Sequence, residues 1–391
     1  MILRQTKAML IDAYRELNAK KLFWLTMGLN VFAVLIFASL GINDRGTTLL
    51  HWTFDNSILN TKIFSEEFYY KTKFTGLGVR FWLSWVSAIL ALVSTAGIIP
   101  DMVSSGTIEP ILSKPLGRTR LFLTKYATGL LFVGLQVLVF TAGCFLVIGI
   151  RAGSWEFGMF LAIPIVLAFF SYIYSFCALV GLVTRSTITA LLLTCLFWSM
   201  LFVVHYGDET MTMFRVSAEI KMEDRAAAVE RQEDKAQAKI EVMREEGEPV
   251  PGENGEPLPE NAKDSLEAVN SRLTNARSNL SDSQNGVASW KAWNARVGML
   301  KSILPKTSET LSLLKKNLVS EDAMTKLLNA QMENQPKYNE NEMPAIADPR
   351  VGTRMQDAQL QKSAAWILST SFAFEAFLLG LCIIIFTRRD F

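Results

Sequence analysis

The sequence predicts an all-α, polytopic membrane protein with six transmembrane helices, an N-terminal interfacial helix and an extracytoplasmic helical hairpin. Three observations carry this. Half of the 391 residues are hydrophobic and only 19% are charged, against roughly 25% charged in soluble domains. The apolar residues fall in blocks, and six blocks reach the about 20 residues that a helix needs to cross a bilayer. Five of those six contain no Asp, Glu, Lys or Arg.

The chain opens on residues 1–21, where Ile2, Met9, Ala13 and Leu17 approximate one apolar face and Arg4, Lys7, Arg15 and Lys20 can reach headgroups. That pattern predicts an elbow helix lying on the membrane surface. It is not a cleavable signal, because about twenty polar and amphipathic residues precede an apolar stretch of full spanning length.

The six blocks run Leu22–Leu40, Phe81–Ile99, Tyr126–Ile150, Phe157–Val183, Ser186–Val204 and Ser363–Phe386. Positive charge orients them. Arg4, Lys7, Arg15, Lys20 and Lys21 precede the first span, Lys114, Arg118, Arg120 and Lys125 separate the second from the third, and Arg388 and Arg389 follow the sixth. On the opposite side Arg45, Lys62, Lys71, Lys73, Arg80 and Arg151 are balanced by Asp44, Asp55, Glu66, Glu67 and Glu156. Both termini and the second-to-third loop are therefore expected in the cytoplasm of a cell whose inner membrane holds the chain. Cys144, Cys177, Cys195 and Cys382 all lie within the apolar blocks. They have no metal-ligand spacing and read as small packing residues.

Residues 206–362 differ in character, with 26 acidic against 21 basic residues, whereas the rest of the chain has 11 against 18. By the charge topology this segment lies outside. Met222, Ala226, Val229, Ala236, Ile240 and Met243 recur at near-heptad spacing, and a run of Gly and Pro follows from Gly247 to Pro259. Leu266, Val269, Leu273, Ala276, Leu280, Ser283, Val287 and Trp290 then repeat three-four spacing. Two such helices around a Pro/Gly-rich turn predict an antiparallel, coiled-coil-like hairpin over 206–298. A partly disordered acidic insert is the alternative. Alternating Leu and Lys from Met299 to Leu318 predict an amphipathic piece on the outer membrane surface, leading a loop to residue 362, with Trp290 and Trp293 as interfacial anchors.

No catalytic constellation is visible. The two histidines, His51 and His205, are far apart, and no G-x-x-x-x-G-K-[ST] loop is present to hold ATP phosphates. Neither a bound cofactor nor a nucleic-acid partner is expected. Segment 98–120 is the informative stretch. Pro100 ends or kinks the second span, Ser104–Leu112 can form a short helix broken at Pro110, and Lys114-Pro115 marks an extended turn. Arg118, Arg120 and Lys125 then sit near anionic headgroups. A short exposed helix tied to two spans can transmit a push from a soluble partner. The alternative is a plain basic loop.

The run Ser105-Gly106-Thr107-Ile108-Glu109-Pro110-Ile111-Leu112-Ser113-Lys114-Pro115-Leu116-Gly117-Arg118, followed by Lys125, resembles the second-to-third-span loop of ABC-2 type permeases. Thr124-Lys125 stands where Gly-Lys is usual in that family. The ending Phe386-Thr387-Arg388-Arg389-Asp390-Phe391 is similar to the family's terminal Arg-Asp motif, and Leu304-Pro305-Lys306-Thr307 to a piece often placed outside between spans five and six. The acidic hairpin departs from the compact family pattern. The resemblance implies a dimer, with a second copy or a paralogue, and cytoplasmic ATP-binding subunits that hold ATP and Mg. It also implies that Ser104, Ser105, Gly106, Thr107, Ile108, Glu109, Ile111 and Leu112 form the coupling helix within segment 100–125, Glu109 being a contact or cap. The permease itself is then no enzyme, and ATP hydrolysis on the partner drives export. A second reading is mechanical signalling, in which the external hairpin works on an extracytoplasmic protein and nothing crosses.

Glu375 stands near the middle of the sixth block, where a carboxylate costs about 2.5–3.5 kcal/mol on insertion scales. Two roles stand open: part of a substrate route or interprotomer contact, or a carboxyl bonded to Ser or Thr for packing.

Overall fold

The computed structural model describes residues 18, 21–55, 60–103, 117–253, 255–318, 348–360 and 363–388. Among the described residues it is helical nearly throughout, and six helices are long and apolar enough to cross a membrane. These are α1 (Lys21–Ser39), α2 (Glu66–Val103), α3 (Arg118–Ala152), α4 (Phe157–Thr184), α5 (Thr187–Glu245) and, last in the chain, α10 (Ala364–Arg388). Short α6 (Ser265–Val269), α7 (Ser271–Ile303), α8 (Thr307–Leu318) and α9 (Pro349–Leu360) come between α5 and α10. The predicted N-terminal surface helix lies almost wholly outside the described residues. Two compact units are present: one holds residues 1–205, 301–335 and 362–391, the other 206–300 and 336–361.

In the first unit α4 is the central helix, packed by α3, α8 and α10, while α1 lies along α3. Large apolar side chains such as Trp24, Phe32 and Leu35 on α1 and Ile188, Leu192 and Leu196 on α5 remain exposed, as a lipid solvent permits. Several polar groups in the interior pair across helices, which offsets their cost where water is absent. Gln136 of α3 donates to Thr26 of α1 at 2.9 Å and accepts from Ser87 of α2 at 3.1 Å, and Trp82 of α2 donates to Asn30 of α1 at 2.9 Å.

Two helix boundaries have clear local causes. α2 starts at Glu66 because Ser65 caps it, accepting from the Phe68 amide at 3.2 Å, with Glu66 and Glu67 favourably placed in the first turn. Its middle, Phe74–Ser87, is π-helical, a wider winding that re-aims side chains within a span. α4 ends where Arg185 adopts a left-handed φ of 55° and its amide bonds the Gly181 carbonyl at 2.9 Å, turning the chain into α5.

A small antiparallel sheet that the sequence reading did not predict follows α1: β1 (Leu40–Ile42), β2 (Gly46–Leu49) and β3 (Trp52–Asp55), in that order. Leu40 pairs with Leu49 and Thr48 with Thr53. The Arg151 guanidinium and the Tyr70 hydroxyl both donate to the Leu40 carbonyl, at 2.8 and 3.0 Å, and fix the sheet to α3 and α2.

In the second unit α7 runs antiparallel to the part of α5 beyond Tyr206. Partners fall along one helix as they rise along the other: Phe214 stacks on Trp290, Arg225 bonds the Asn279 carbonyl at 2.7 Å, and Arg277 reaches Glu233 at 2.7 Å. Val229, Ala236, Ile240, Leu273 and Val287 are the buried members of the seam, whereas Ala226 is exposed. Gly247 and Gly252, at φ 74° and 81°, make the turn that follows α5. α9 docks on α5 by packing Val351 and Met355 against Met213, Val216 and Ile220.

Around that apolar contact Arg350 grips Asp224 at 2.6 Å and Asp348 at 2.7 Å, and Arg354 grips Glu223 at 2.5 Å. Hydrogen bonds from these guanidinium groups hold Asp224, Asp348 and Glu223 below the ordinary carboxylate range. Carboxylates with depressed values stabilise above their unfolded-state pKa, about 4, and that contribution is lost as pH falls through the folded-state values. The pairs are largely exposed, so each is worth no more than about 1 kcal/mol and is screened by salt. Amide hydrogen exchange across 349–360 in the full-length protein is therefore expected to quicken a few-fold between neutral pH and about pH 3, after correction for intrinsic rates. High salt at neutral pH is expected to mimic part of the change. Protection that ignores both pH and salt would show that the apolar contact alone holds α9.

Candidate functional site

The predicted coupling residues Ser104, Ser105, Gly106, Thr107, Ile108, Glu109, Ile111 and Leu112 lie outside the described residues. Their two flanks are described. On one side Pro100 of α2 sits so close to Gly181 of α4 that a Cβ there would meet its Cγ at 2.9 Å. On the other, the Arg118 guanidinium opens α3 and donates to the Thr387 carbonyl of α10 at 3.1 Å. The segment is thus bracketed by attachments to α4 and α10.

Glu375, the other predicted residue, lies midway along α10 and is 8% exposed. Its Oε1 accepts from the Tyr126 hydroxyl of α3 at 2.9 Å and its Oε2 from the Ser171 hydroxyl of α4 at 2.8 Å. Helix geometry explains the meeting: α10 packs on both α3 and α4, and Ser171 is near the middle of α4 as Glu375 is of α10. Tyr126 stacks on Tyr174 with ring centroids 5.0 Å apart, and Tyr174 stacks in turn on Phe170 at 5.5 Å. The close approach of α3 to α4 at this level requires Gly129, where a Cβ would lie 2.6 Å from the Tyr174 ring.

One helical turn away on α10 is Ser371, wholly buried. Its hydroxyl accepts from the Lys306 amide at 2.9 Å. Lys306 itself is 1% exposed, which is unusual for a lysine. Its ammonium donates to Thr370 at 2.8 Å, and lies 4.2 Å from the centroid of the Trp366 ring, a cation–π contact. The chain reaches this place because α8 packs against both α4 and α10, burying Thr310, Leu313, Leu314 and Leu318. The sequence reading put this piece on the outer membrane surface. Instead its Leu face and Lys306 enter the bundle, since a lysine whose ammonium finds hydroxyl and aromatic partners need not reach water.

A charged cluster flanks the same turn. Glu309 forms an ion pair with Lys301 and lies 3.6 Å from Nδ1 of His205. His205 therefore serves α8 rather than pairing with His51, and among the described residues no group of three His, Cys, Asp or Glu is placed to hold a metal.

The result is a column of polar groups inside an apolar bundle: Lys306, Ser371, Glu375, Ser171 and Tyr126. Glu375 was legible as a lone carboxyl in an apolar run. Tyr126 and Ser171 were not singled out, although a hydroxyl at the midpoint of the fourth block was an available signal, and Lys306 entered only within the Leu304-Pro305-Lys306-Thr307 resemblance. The column brings hydrogen-bonding groups of α3, α4, α10 and the residue before α8 together in the apolar interior.

Residues 12–215 match the family model described as ABC-2 family transporter protein. No curated protein and no solved structure matches the chain. The family match spans more than half of the 391 residues and takes in α1 to α4 and the start of α5. Permeases of this family are the membrane-embedded components of transporters and work with a partnering ATP-binding subunit. With six helices able to cross a membrane, the chain belongs to the ABC-2 transporter family and is a multi-pass permease subunit of an ABC transporter.

Proposed function

We propose that this permease couples ATP hydrolysis, on a separate cytoplasmic subunit that holds ATP and Mg, to the export of a substrate across the cytoplasmic membrane. Ser104–Leu112 is the coupling helix, with Glu109 as a contact to the ATPase or a cap, and two permeases, identical or paralogous, form the transporter. Both chain termini lie on the ATPase side. The observation that carries this reading is the family match, whose residues 12–215 include the whole coupling segment. The excess of basic residues around 114–125 and at 388–389 favours the same side for that segment and the C-terminus. Attachment of the segment's flanks to α4 and α10 supports the mechanical part. A push on 104–112 reaches the two helices that carry Ser171 and Glu375, so closure of the ATPase pair can rearrange the polar column.

The test is affinity purification from native membranes, comparing wild type with a variant carrying Glu109→Arg and a deletion of Ser105–Ile108. An ATP-binding subunit is expected with the wild type and at least tenfold less of it with the variant. If no such subunit co-purifies with wild type under several mild detergents, the reading fails. Retention by the variant would move the coupling contact elsewhere. Among complexes that do form, ATPase stimulation by an extracytoplasmic protein and by no small molecule would favour mechanical signalling over export.

A further inference from the structure

The four hydrogen-bonding contacts around Glu375 allow its protons to be counted. Tyr126 has one hydroxyl proton and two acceptors within reach: Glu375 Oε1 at 2.9 Å and the Ser171 carbonyl at 2.9 Å. Ser171 likewise has one proton and two acceptors: Glu375 Oε2 at 2.8 Å and the Ala168 carbonyl at 2.9 Å. With the carboxyl ionised, both hydroxyls donate to it and two hydrogen bonds result. With the carboxyl neutral, Oε2–H donates to the Ser171 hydroxyl, which turns its own proton to the Ala168 carbonyl, while Tyr126 still donates to Oε1. Three hydrogen bonds then form. The mirror arrangement, through Oε1–H and the Ser171 carbonyl, is equally available. No heavy atom moves between the two protonation states.

A purely structural carboxyl needs only one of these states. A packing role is filled by an amide or a hydroxyl at lower cost, since an unpaired ion in a bilayer interior is expensive. Among the described residues no cation pairs with Glu375. Its titratable surroundings are Tyr126 on α3, Tyr172 and Tyr174 on α4, Cys382 on its own helix, and Lys306 and Glu309 on the segment that packs beside α10. Lys306 is engaged with Thr370 and Trp366, one turn away.

We propose that Glu375 is a proton-binding site at the centre of the membrane bundle, with Tyr126 and Ser171 as the two rotors that let it fill and empty without repacking. Tyr126, Ser171 and Glu375 are all nearly inaccessible, so the bound proton is occluded here and exchanges only when the bundle opens. The side on which it opens then decides which compartment the proton equilibrates with. This inference depends on neither an ATPase partner nor export.

The test is difference infrared spectroscopy of the purified full-length permease in lipid nanodiscs, titrated from acid to alkaline pH. Wild type is expected to show a carboxylic C=O band that disappears in a single titration and shifts on carbon-13 labelling of glutamate. Glu375→Gln, which is isosteric with the neutral form, is expected to lack that band while keeping the amide bands of the folded protein. Tyr126→Phe removes one rotor and is expected to move the midpoint to higher pH by a few-fold in proton concentration, because that hydroxyl bonds the carboxylate more strongly than the neutral acid. Identical titration spectra for wild type and Glu375→Gln would overturn the proposal. So would a band that Glu375→Gln removes but that no pH in the stable range discharges, because the site would then hold one state only. An unmoved midpoint in Tyr126→Phe would overturn the rotor assignment.

Discussion

Gly129→Val is expected to unfold or severely destabilise the membrane bundle, lowering the yield of folded permease by at least tenfold. A Cβ at Gly129 would lie 2.6 Å from Cε1, Cζ and the hydroxyl oxygen of Tyr174, inside any permissible contact. Tyr174 cannot step aside, because Tyr126 and Phe170 stack on it at 5.0 and 5.5 Å. Overpacking of this kind costs about 1–3 kcal/mol for the first methylenes and more for a branched side chain. Gly129→Ala gains about 1 kcal/mol of helix propensity and is still expected to lose overall. Gly134 on the same helix is the control, since its nearest neighbour, Leu167, stands 3.7 Å from a built Cβ. Gly134→Ala is expected to be neutral or slightly stabilising. Unfolding midpoints in detergent, followed by tryptophan fluorescence, make the comparison. Equal midpoints for Gly129→Ala and Gly134→Ala would mean that α3 and α4 separate freely and that the stack carries little.

Lys306→Ala is expected to cost about 3 kcal/mol, near the middle of the range for deleting a large buried side chain. Its aliphatic stem fills space among α8, α4 and α10, and its ammonium serves Thr370 and the Trp366 ring. Lys306→Met separates the two contributions, since it keeps the length and loses the charge. Thr370 already donates to the Trp366 carbonyl at 2.7 Å, so no polar group is stranded. The Met variant is expected to lose the cation–π contact and the ammonium's hydrogen bonds, a net cost of about 1–2 kcal/mol. Lys306→Glu places an anion against the negative face of Trp366 and is expected to be the worst of the three. The order Met, Ala, Glu in falling thermal midpoint checks the assignment. A Met variant as damaged as Ala would show that the charge, not the stem, holds α8 in place.

The spans were legible because crossing a bilayer imposes a length and a composition that few soluble segments share. Glu375 was legible for the same reason, as a cost without a visible return. Its partners were not, because Tyr126 and Ser171 are 249 and 204 residues away in sequence and no local pattern records which faces of three helices meet. The Leu–Lys alternation of 299–318 reads as a surface-lying piece, but it does not show that the Lys306 ammonium finds a hydroxyl and an aromatic face inside the bundle. The sheet was missed for another reason. Thr47, Thr48, Trp52 and Phe54 carry the β-branched and aromatic character of strands, but strands of three and four residues are too short for alternation to stand out. The hairpin's seam was partly legible: Val229, Ala236 and Ile240 are buried as their spacing implies, yet Arg225 and Arg277 hold the two helices in register through contacts that heptad reading ignores.

The insertion of α8 beside α4 and α10 also sets the order in which the molecule can be made. A ribosome delivers α1 to α4 first, with Tyr126 and Ser171 already in the lipid. The groups that meet them arrive only after more than a hundred further residues, the carboxyl of Glu375 almost last of all. Until residues 306–388 emerge, the centre of the bundle has an empty seat lined with hydroxyls. Truncations that remove residues 306–388, about a fifth of the 391, are thus expected to act on the whole membrane unit rather than on its edge.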